Sequence, residues 1–350
     1  MIHASAGDRL YPLKEPLRNA LLEAGIPYNP CANGGDPLGF AALSENWKDG
    51  RRQPASKAYD LSKANVFTNS TVRRILIDAS SKIATGIELL DGRAFQATKE
   101  VLCCCGAIKT PQLLMLSGIG PAKHLAVQGL VTVEDLPVGE NLHDHLSATL
   151  YFKLKRPEQG LAIGSALFGE NAPDFKKGNP ISWIATLSIP DVSQATLAKA
   201  IPNNDSLISK SRRHVEFLIS YAPIAAPAFF EHSLAGTHIS TPILGLLPSS
   251  RGSVTLSSTD VNADPIINPN YFDCELDREA MRTGVRAVLH TMLDTTEGKT
   301  MIEEETPPPG QVSAPLMLYV RLAFKSLCFG NSEFKVSCTN TACESAAIIK

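Results

Sequence analysis

The run GAIKTPQLLMLSGIGP, residues 106–121, has the residue types of a cofactor-binding junction between a strand and a helix. A strand that ends at Gly106, a helix capped by Thr110 with Pro111 in its first position, and a stop at Gly118 would fit the pattern. Unpaired backbone N–H groups and the helix dipole at such a helix start attract phosphates and cofactors. Taken alone, the run is compatible with a ligand contact, but junctions of this kind without ligands are commoner.

The cluster His143-Asp144-His145 offers metal-ligating side chains. Two histidines at positions i and i+2 of a strand lie on one face, but no third ligand follows at a suitable spacing. We therefore favour a polar loop packed beside a cofactor or a domain interface over a metal site.

Two possible nucleophiles have simpler interpretations. Ser117 lacks the G-x-S-x-G context of hydrolases and is predicted to be a helix-end hydroxyl. The triplet Cys103 to Cys105 has no C-x-x-C spacing and ends an apolar run, EVLCCCG, that predicts a buried strand. These cysteines are expected in a core, in a reducing compartment.

The elements that must position these residues follow from periodicity. Residues 14–25 predict a helix that ends at Gly25, and residues 65–105 predict a β-meander with a hairpin turn at Asp91-Gly92. A second helix is predicted after Pro121. Later segments add strands and loops, long loops over 156–210, and a helix beginning at Asp277.

Composition limits the kinds of partner. The chain has 350 residues, is 44% hydrophobic and carries 33 Lys plus Arg against 35 Asp plus Glu, for a formal net charge of −2. This balance argues against nucleic acid and acidic membrane surfaces and favours small molecules. The apolar stretch from Ala314 contains Arg321 and Lys325, so it predicts an amphipathic helix and not a membrane span. The first residues do not read as a signal peptide, so we expect a cytoplasmic location by default.

The junction at 106–121 closely resembles the second signature of the glucose-methanol-choline (GMC) flavoprotein oxidoreductases. NVFTNSTVRRILID, DLPVGENLHDH and SRGSVTLSSTDVNADPIINPNYF resemble flanking pieces of the same family, so that the likeness spans about residues 15 to 300. Family members use FAD to take a hydride from an alcohol carbon. The resemblance thus implies FAD as the cofactor and a small alcohol as the substrate, in a small-molecule pathway such as secondary metabolism.

The same resemblance assigns roles to particular residues. Val72 would contact the adenine end of FAD through its backbone, and Gly106 and Ala107 would lie against the dinucleotide. The further residues that it implies for the cofactor site are Thr110, Asn141, Asp144 and His145.

Two features of the family pattern are missing from these 350 residues. No G-x-G-x-x-G occurs, and no histidine follows Met301, where the family has its proton-accepting histidine. His290 falls too early, inside a predicted helix. No catalytic residue is therefore assigned. Two functions stay open: a GMC-type alcohol oxidoreductase, and a catalytically inactive or non-redox GMC-derived protein that binds or cyclises a pathway substrate.

The expected fold is α/β: a partial FAD-binding Rossmann-like domain with a β-meander, and a sheet-based α+β substrate domain. The predicted division is a helical and loop segment at the domain interface over 1–60, the partial FAD-binding domain over 61–150, the substrate-binding domain over 151–300, and a linker with an atypical tail over 301–350.

Overall fold

The computed structural model describes residues 5–6, 9–190, 212–223, 234–306 and 347–349. The helices, in chain order, are α1 (Lys14–Glu23), α2 (Ala55–Ala58), α3 (Gly106–Leu116), α4 (Ala122–Val127), α5 (Phe168–Asn171), α6 (Glu275–Leu289) and α7 (Thr296–Met301). A short 3₁₀ turn covers Pro157–Gln159, and a π-helical turn, His290–Asp294, follows α6.

The strands, in chain order, are β1 (Ser5–Ala6), β2 (Gly39–Ala42), β3 (Ser44–Glu45), β4 (Trp47–Lys48), β5 (Arg51–Arg52), β6 (Asn65–Phe67), β7 (Val72–Asp78), β8 (Ile83–Leu89), β9 (Ala94–Gln96), β10 (Glu140–Leu142), β11 (Leu146–Leu154), β12 (Ile181–Leu187), β13 (Val215–Ser220), β14 (His238–Gly245), β15 (Gly252–Thr255), β16 (Ile266–Asn268), β17 (Ile302–Glu305) and β18 (Ala347–Ile349). Every strand pair within the described sheets is antiparallel.

The described chain separates into two compact units. Of the described residues, those within 1–58, 145–250 and 272–330 form unit 1, and those within 59–144, 251–271 and 331–350 form unit 2. The sequence predicts domain boundaries between residues 60 and 61 and between residues 150 and 151. It assigns all of 151–300 to one domain. Residues 251–271 instead cluster with unit 2, because β15 pairs with β10 over a long sequence separation. The functional labels given to the four predicted segments stay predictions.

Unit 1 is built on a six-stranded sheet in the order β17-β11-β14-β13-β12-β2. Helix α6 packs on one face of this sheet, and its Gly284 allows the close approach. A Cβ at this glycine would lie only 2.6 Å from Cγ2 of Ile243 and of Val215. Phe217 and Ile243, both fully buried, belong to this core.

Unit 2 contains the meander β7-β8-β9, the helices α3 and α4, and the three-stranded sheet β10-β15-β16. A small apolar cluster of Met115, Leu125 and Leu256 packs α3 and α4 against the segment that follows β15. The junction at 106–121 and the 137–143 loop therefore belong to the same compact unit.

Several predicted elements are confirmed. Helix α1 ends before Gly25, which adopts a left-handed φ of 78°. The β8–β9 hairpin turns at Asp91-Gly92, where Gly92 has a φ of 87°. Helix α4 follows Pro121, and the predicted helix at Asp277 lies within α6. Strong periodicity and turn glycines identified these elements because their local geometry does not depend on distant partners.

Three predictions about local structure are wrong. The run EVLCCCG is not a buried strand: residues 101–105 pair with no described strand, Leu102 is 71% exposed, and Cys104 is exposed. An apolar run becomes a strand only where a neighbouring strand accepts its backbone hydrogen bonds. The loop predicted over 156–210 contains β12, and the linker predicted after Met301 begins with β17. The amphipathic helix predicted from Ala314 lies outside the described residues.

Among the described residues, no helix is both long enough and apolar enough to cross a lipid bilayer. The described part of the chain also contains no group of three or more His, Cys, Asp or Glu side chains that could hold a metal ion.

Candidate functional site

The first turn of α3 is an uncapped helix N-terminus. The helix begins at Gly106, not at Thr110 as predicted, and no side chain caps it at Cys105. Gly106 has a φ of 80°, and a Cβ at this position would meet no atom within 4 Å. The left-handed turn that glycine permits starts the helix one turn earlier than Thr110 could. Its first backbone N–H groups consequently have no side-chain acceptor.

Pro111 lies inside α3 and not at its first position. A proline in a helix interior has no N–H to donate to the carbonyl group four residues earlier, which here belongs to Ala107. Both residues, together with Thr110, line a cleft of about 340 Å³ in unit 2. The proline therefore alters the helix at the position where the cleft forms.

The opposite wall of the cleft is the loop that enters β10. The cleft is lined by Ala107, Thr110, Pro111, Leu114, Val138, Gly139, Glu140, Asn141, Leu142, His143 and Val254. The lining thus combines apolar side chains with a hydroxyl, an amide, an imidazole and the carboxylate of Glu140, a mixture of apolar walls and a few polar groups that is typical of small-molecule sites.

Two backbone positions with positive φ shape this loop. Gly139 has a φ of 85°, its carbonyl oxygen accepts a hydrogen bond of 2.7 Å from Val254 N, and a Cβ there would overlap the Val254 carbonyl oxygen. Asn141 has a φ of 64°, a conformation that asparagine tolerates better than most residues. The loop is therefore held against β15 while the exposed Asn141 lines the cleft.

His143 also lines the cleft, and its Nδ1 lies 3.0 Å from the carbonyl oxygen of Asn141. Because a carbonyl oxygen can only accept, Nδ1 carries the proton in this hydrogen bond, and Nε2 of the neutral ring is an acceptor. For the cluster His143-Asp144-His145 the sequence favours a polar loop beside a cofactor or a domain interface over a metal site, and the structure places His143 in the wall of the cleft.

The structure brings together three of the seven residues predicted for the cofactor site. Ala107, Thr110 and Asn141 line the cleft, and Gly106 begins the same helix. Asp144 is exposed and follows the loop directly. Val72 begins β7, where it pairs with Leu89, and it is not a lining residue. His145 belongs to unit 1 and precedes β11.

Sequence patterns missed several lining residues. Val254 belongs to the site only because β15 pairs with β10, and no local signal marks that pairing. Gly139 could be suspected from its position two residues before Asn141, because glycines in loops often occupy left-handed positions. Asn141 itself was predicted from the family resemblance.

The buried thiol core predicted for the cysteine triplet is not observed, since Cys104 is exposed and Cys103 and Cys105 are half-buried. Burial raises the pKa of both the Cys103 and the Cys105 thiols, which disfavours the reactive thiolate. Ser117, by contrast, is buried, and its hydroxyl donates to the Leu113 carbonyl at 2.6 Å, as expected of a helix-end hydroxyl.

Two family models, both described as GMC oxidoreductase, match residues 1–147 and 248–322. The GMC-type oxidoreductase acuG of Aspergillus aculeatus is 52% identical over 312 residues, which are 88% of this chain and 59% of that protein. An alcohol dehydrogenase [acceptor] of Pseudomonas putida is 30% identical over 293 residues, 79% of this chain and 50% of that protein.

Among solved structures, a variant of the formate oxidase of Aspergillus oryzae RIB40, studied for modification of its FAD, has a TM-score of 0.77 at 24% identity. The match covers 92% of this chain and 60% of the oxidase, so the α/β fold is shared. The chain spans about half to three-fifths of the length of these relatives. FAD is the cofactor that the family match supports. The chain belongs to the GMC oxidoreductase family.

Proposed function

We propose that this chain acts as an FAD-dependent oxidoreductase of the GMC type that oxidises the CH–OH group of a small alcohol. The observation that carries the proposal is the uncapped N-terminus of α3 beside a cleft lined by a hydroxyl, an amide, an imidazole and the Glu140 carboxylate. The relationship to an alcohol dehydrogenase of Pseudomonas putida supports an alcohol as the substrate. A role in secondary metabolism stays a prediction.

The residues of unit 2 fit one part of a flavin dinucleotide. The N–H groups of Gly106 and Ala107 can donate to anionic or carbonyl oxygens at the positive end of the helix dipole. The open space beside Gly106 admits a ligand close to the backbone. Thr110 and Asn141 add a side-chain hydroxyl and an amide. These four residues would hold FAD, which when bound supplies the hydride acceptor.

Around these polar groups, the apolar wall of the cleft limits the access of water. Leu114, Val138 and Val254 provide this wall, and exclusion of water strengthens each hydrogen bond to a bound ligand. His143 is the imidazole of the cleft, and its Nε2 can accept a hydrogen bond there while Nδ1 donates to the Asn141 carbonyl. The remaining predicted contacts, through Val72, Asp144 and His145, are kept as part of the proposal.

The alternative function, a catalytically inactive or non-redox GMC-derived protein that binds or cyclises a pathway substrate, has its own observations. The 350 residues contain no G-x-G-x-x-G and no histidine after Met301. Residues 101–105 are not paired in a sheet within the described structure. In the family, the G-x-G-x-x-G motif holds the pyrophosphate and a histidine accepts the proton of the alcohol. The three features of this chain affect these two elements.

A visible spectrum of the purified 350-residue chain separates the two functions. Bound flavin would absorb in the visible range, and anaerobic addition of an alcohol from a panel of primary aliphatic and benzylic alcohols would bleach it. A folded but colourless protein that takes up no added FAD would overturn the oxidoreductase proposal. Flavin that binds but is bleached by no alcohol of the panel would favour the non-redox alternative.

A further inference from the structure

Three consecutive cysteines, Cys103 to Cys105, lead directly into α3. Exposure alternates along them: Cys104 is exposed, whereas Cys103 and Cys105 are half-buried. The alternation begins earlier, with a half-buried Val101 and an exposed Leu102. A period of two is the pattern of an extended chain, in which every second side chain lies on the same side. Cys103 and Cys105 therefore share one side of the segment, and Cys104 lies on the other.

Electrostatic effects on the Cys103 thiol agree with this arrangement. Burial is the main cause that raises its pKa; the charge of Cys105 raises the pKa further, and the charge of Cys104 has a smaller effect. Cys104 is the nearer residue in sequence, so its weaker influence means that its sulfur atom points away. The thiol that faces Cys103 is that of Cys105.

Chain geometry selects the same pair for a disulfide. All three thiols are free in this structure. The Cα atoms of residues two positions apart are separated by at most about 7 Å, and those of a disulfide by about 4.4–6.8 Å. Adjacent residues, about 3.8 Å apart, fall below this range. A bond between Cys103 and Cys105 thus needs a small contraction of the chain, whereas a bond to Cys104 needs a strained backbone.

The surroundings permit that contraction. Residues 101–105 pair with no strand in the described part of the chain, so no ladder hydrogen bond has to break. Cys105 occupies the cap position of α3 without a side-chain hydrogen bond to the helix, so its sulfur atom is not needed for capping. Neither thiol belongs to a described group of three or more side chains that could hold a metal ion. The two sulfur atoms are therefore available for chemistry with each other.

We propose that Cys103 and Cys105 are a reversible modification site, a dithiol that hydroperoxides oxidise to a disulfide while Cys104 stays outside the bond. The site is formed by three consecutive residues within unit 2 and requires neither flavin nor an alcohol. It goes beyond the proposed oxidoreductase function and can be tested apart from it. A strained or exposed disulfide is easily reduced, so a small thiol such as glutathione returns the pair to the reduced state.

The oxidation proceeds in two steps with hydrogen peroxide as the oxidant. One thiolate attacks a peroxide oxygen, which breaks the O–O bond and leaves a sulfenic acid and, after protonation, water. The second thiol then attacks the sulfenic sulfur, so that an S–S bond forms and a second water leaves. The two thiols lose two electrons and two protons, and the peroxide takes up both. The new bond lies directly before Gly106, where the helix that lines the cleft begins.

Mass spectrometry of the purified full chain tests the proposal. The reduced chain is treated with a slight excess of hydrogen peroxide at pH 8, its remaining thiols are alkylated with N-ethylmaleimide under denaturing conditions, and trypsin is added. Cleavage after Lys99 and Lys109 releases residues 100–109, which contain all three cysteines of the segment. Before oxidation this peptide should carry three maleimide groups. After oxidation it should carry one maleimide group and one disulfide, and dithiothreitol should restore the first pattern.

Serine variants identify the bonded pair. Cys104→Ser should give the disulfide in unchanged yield, whereas Cys103→Ser or Cys105→Ser should lower the yield at least about tenfold, because the thiols that remain are adjacent and lie outside the range of a relaxed disulfide. The matched control is Cys274→Ser, which should leave the yield unchanged. Cys274 is also half-buried and also occupies the cap position of a helix, α6, but it has no cysteine beside it in the sequence.

Three maleimide groups after oxidation, a disulfide that includes Cys104, or sulfinic acids without a disulfide would overturn the proposal. Chains joined by intermolecular disulfides on a non-reducing gel, in place of the internal bond, would also overturn it. Circular dichroism establishes that each variant is folded. If a variant does not fold, the fragment spectrum of the unaltered peptide still locates its maleimide group, which should be on Cys104. Because no measurement uses flavin absorbance or an alcohol, failure here is distinguishable from failure of the oxidoreductase function.

Discussion

The hydroxyl group of Ser117 links the end of α3 to strand β7 through the backbone of Ile75. Its Oγ accepts a hydrogen bond of 2.8 Å from Ile75 N and donates one to the Leu113 carbonyl. Ser117 and Ile75 are both buried. A single side chain therefore satisfies a strand N–H that the meander leaves unpaired, and it fixes the helix that lines the cleft.

Replacement of Ser117 by alanine should destabilise unit 2. The change leaves the buried N–H of Ile75 without an acceptor, which costs about 1–3 kcal/mol. Urea denaturation followed by circular dichroism measures the loss. Ser56→Ala, at an exposed serine of α2 whose hydroxyl forms no hydrogen bond within the described residues, is the control and should change the free energy of unfolding by less than about 0.5 kcal/mol. Equal effects of the two variants would contradict the buried role of Ser117.

Gly139→Ala should be clearly more damaging than Gly92→Ala. The two glycines have φ values of 85° and 87°, so both substitutions carry the same conformational cost, about 1 kcal/mol. Only at Gly139 would the added Cβ overlap the Val254 carbonyl oxygen, whereas at Gly92 it meets no atom within 4 Å. Chemical denaturation of both variants measures the difference. Similar unfolding free energies would mean that the loop before β10 is not held against β15.

Asn141→Gly should reduce flavin binding while preserving the fold. Glycine accepts the φ of 64° at this position without strain, so the backbone of the cleft wall is retained and only the amide is lost. We expect a severalfold weaker affinity for added FAD, measured by quenching of flavin fluorescence. Asn69→Gly is a suitable control, because Asn69 also has a positive φ of 52° but is not a lining residue of the cleft. Unchanged affinity in Asn141→Gly would remove Asn141 from the site.

Glu216→Gln should alter the pH dependence of stability. Because burial raises the pKa of Glu216 in the folded state, the stabilising effect of its protonated form is complete below the ordinary value of 4.5. That effect is lost as pH rises through the raised pKa. The variant cannot ionise, so its stability relative to the original chain should increase as pH rises from 4 to 7. Thermal unfolding across this range measures the difference, and a constant difference would contradict it.

The elements with local signals could be predicted from the sequence alone. Helix α1 with its stop at Gly25, the hairpin at Asp91-Gly92 and helix α6 are each specified by periodicity and by residues that favour one backbone conformation. The start of α3 was misplaced because Thr110 and Pro111 resemble a helix cap, whereas the left-handed Gly106 starts the helix first.

The family was also accessible from the sequence, since the run at 106–121 fixes many residues at defined spacings. The match of residues 1–147 and 248–322 to the GMC oxidoreductase family models confirms the inferred family, and the fold that the chain shares with a formate oxidase variant agrees with it. The assignment of individual residues to FAD stays a prediction, because a signature motif identifies a family without locating each side chain relative to the ligand.

The family, the helices and hairpins with strong local signals, and several polar residues near the cleft can be read from the amino-acid sequence alone. The folded chain is needed to show that Val254 lines the cleft with Ala107, that residues 251–271 belong to unit 2, and that Glu216 lies opposite Thr186. Local conformation follows from neighbouring residues along the chain. Strand pairing instead depends on groups far apart in the sequence, whose hydrogen bonds and side-chain packing form only when the chain has folded.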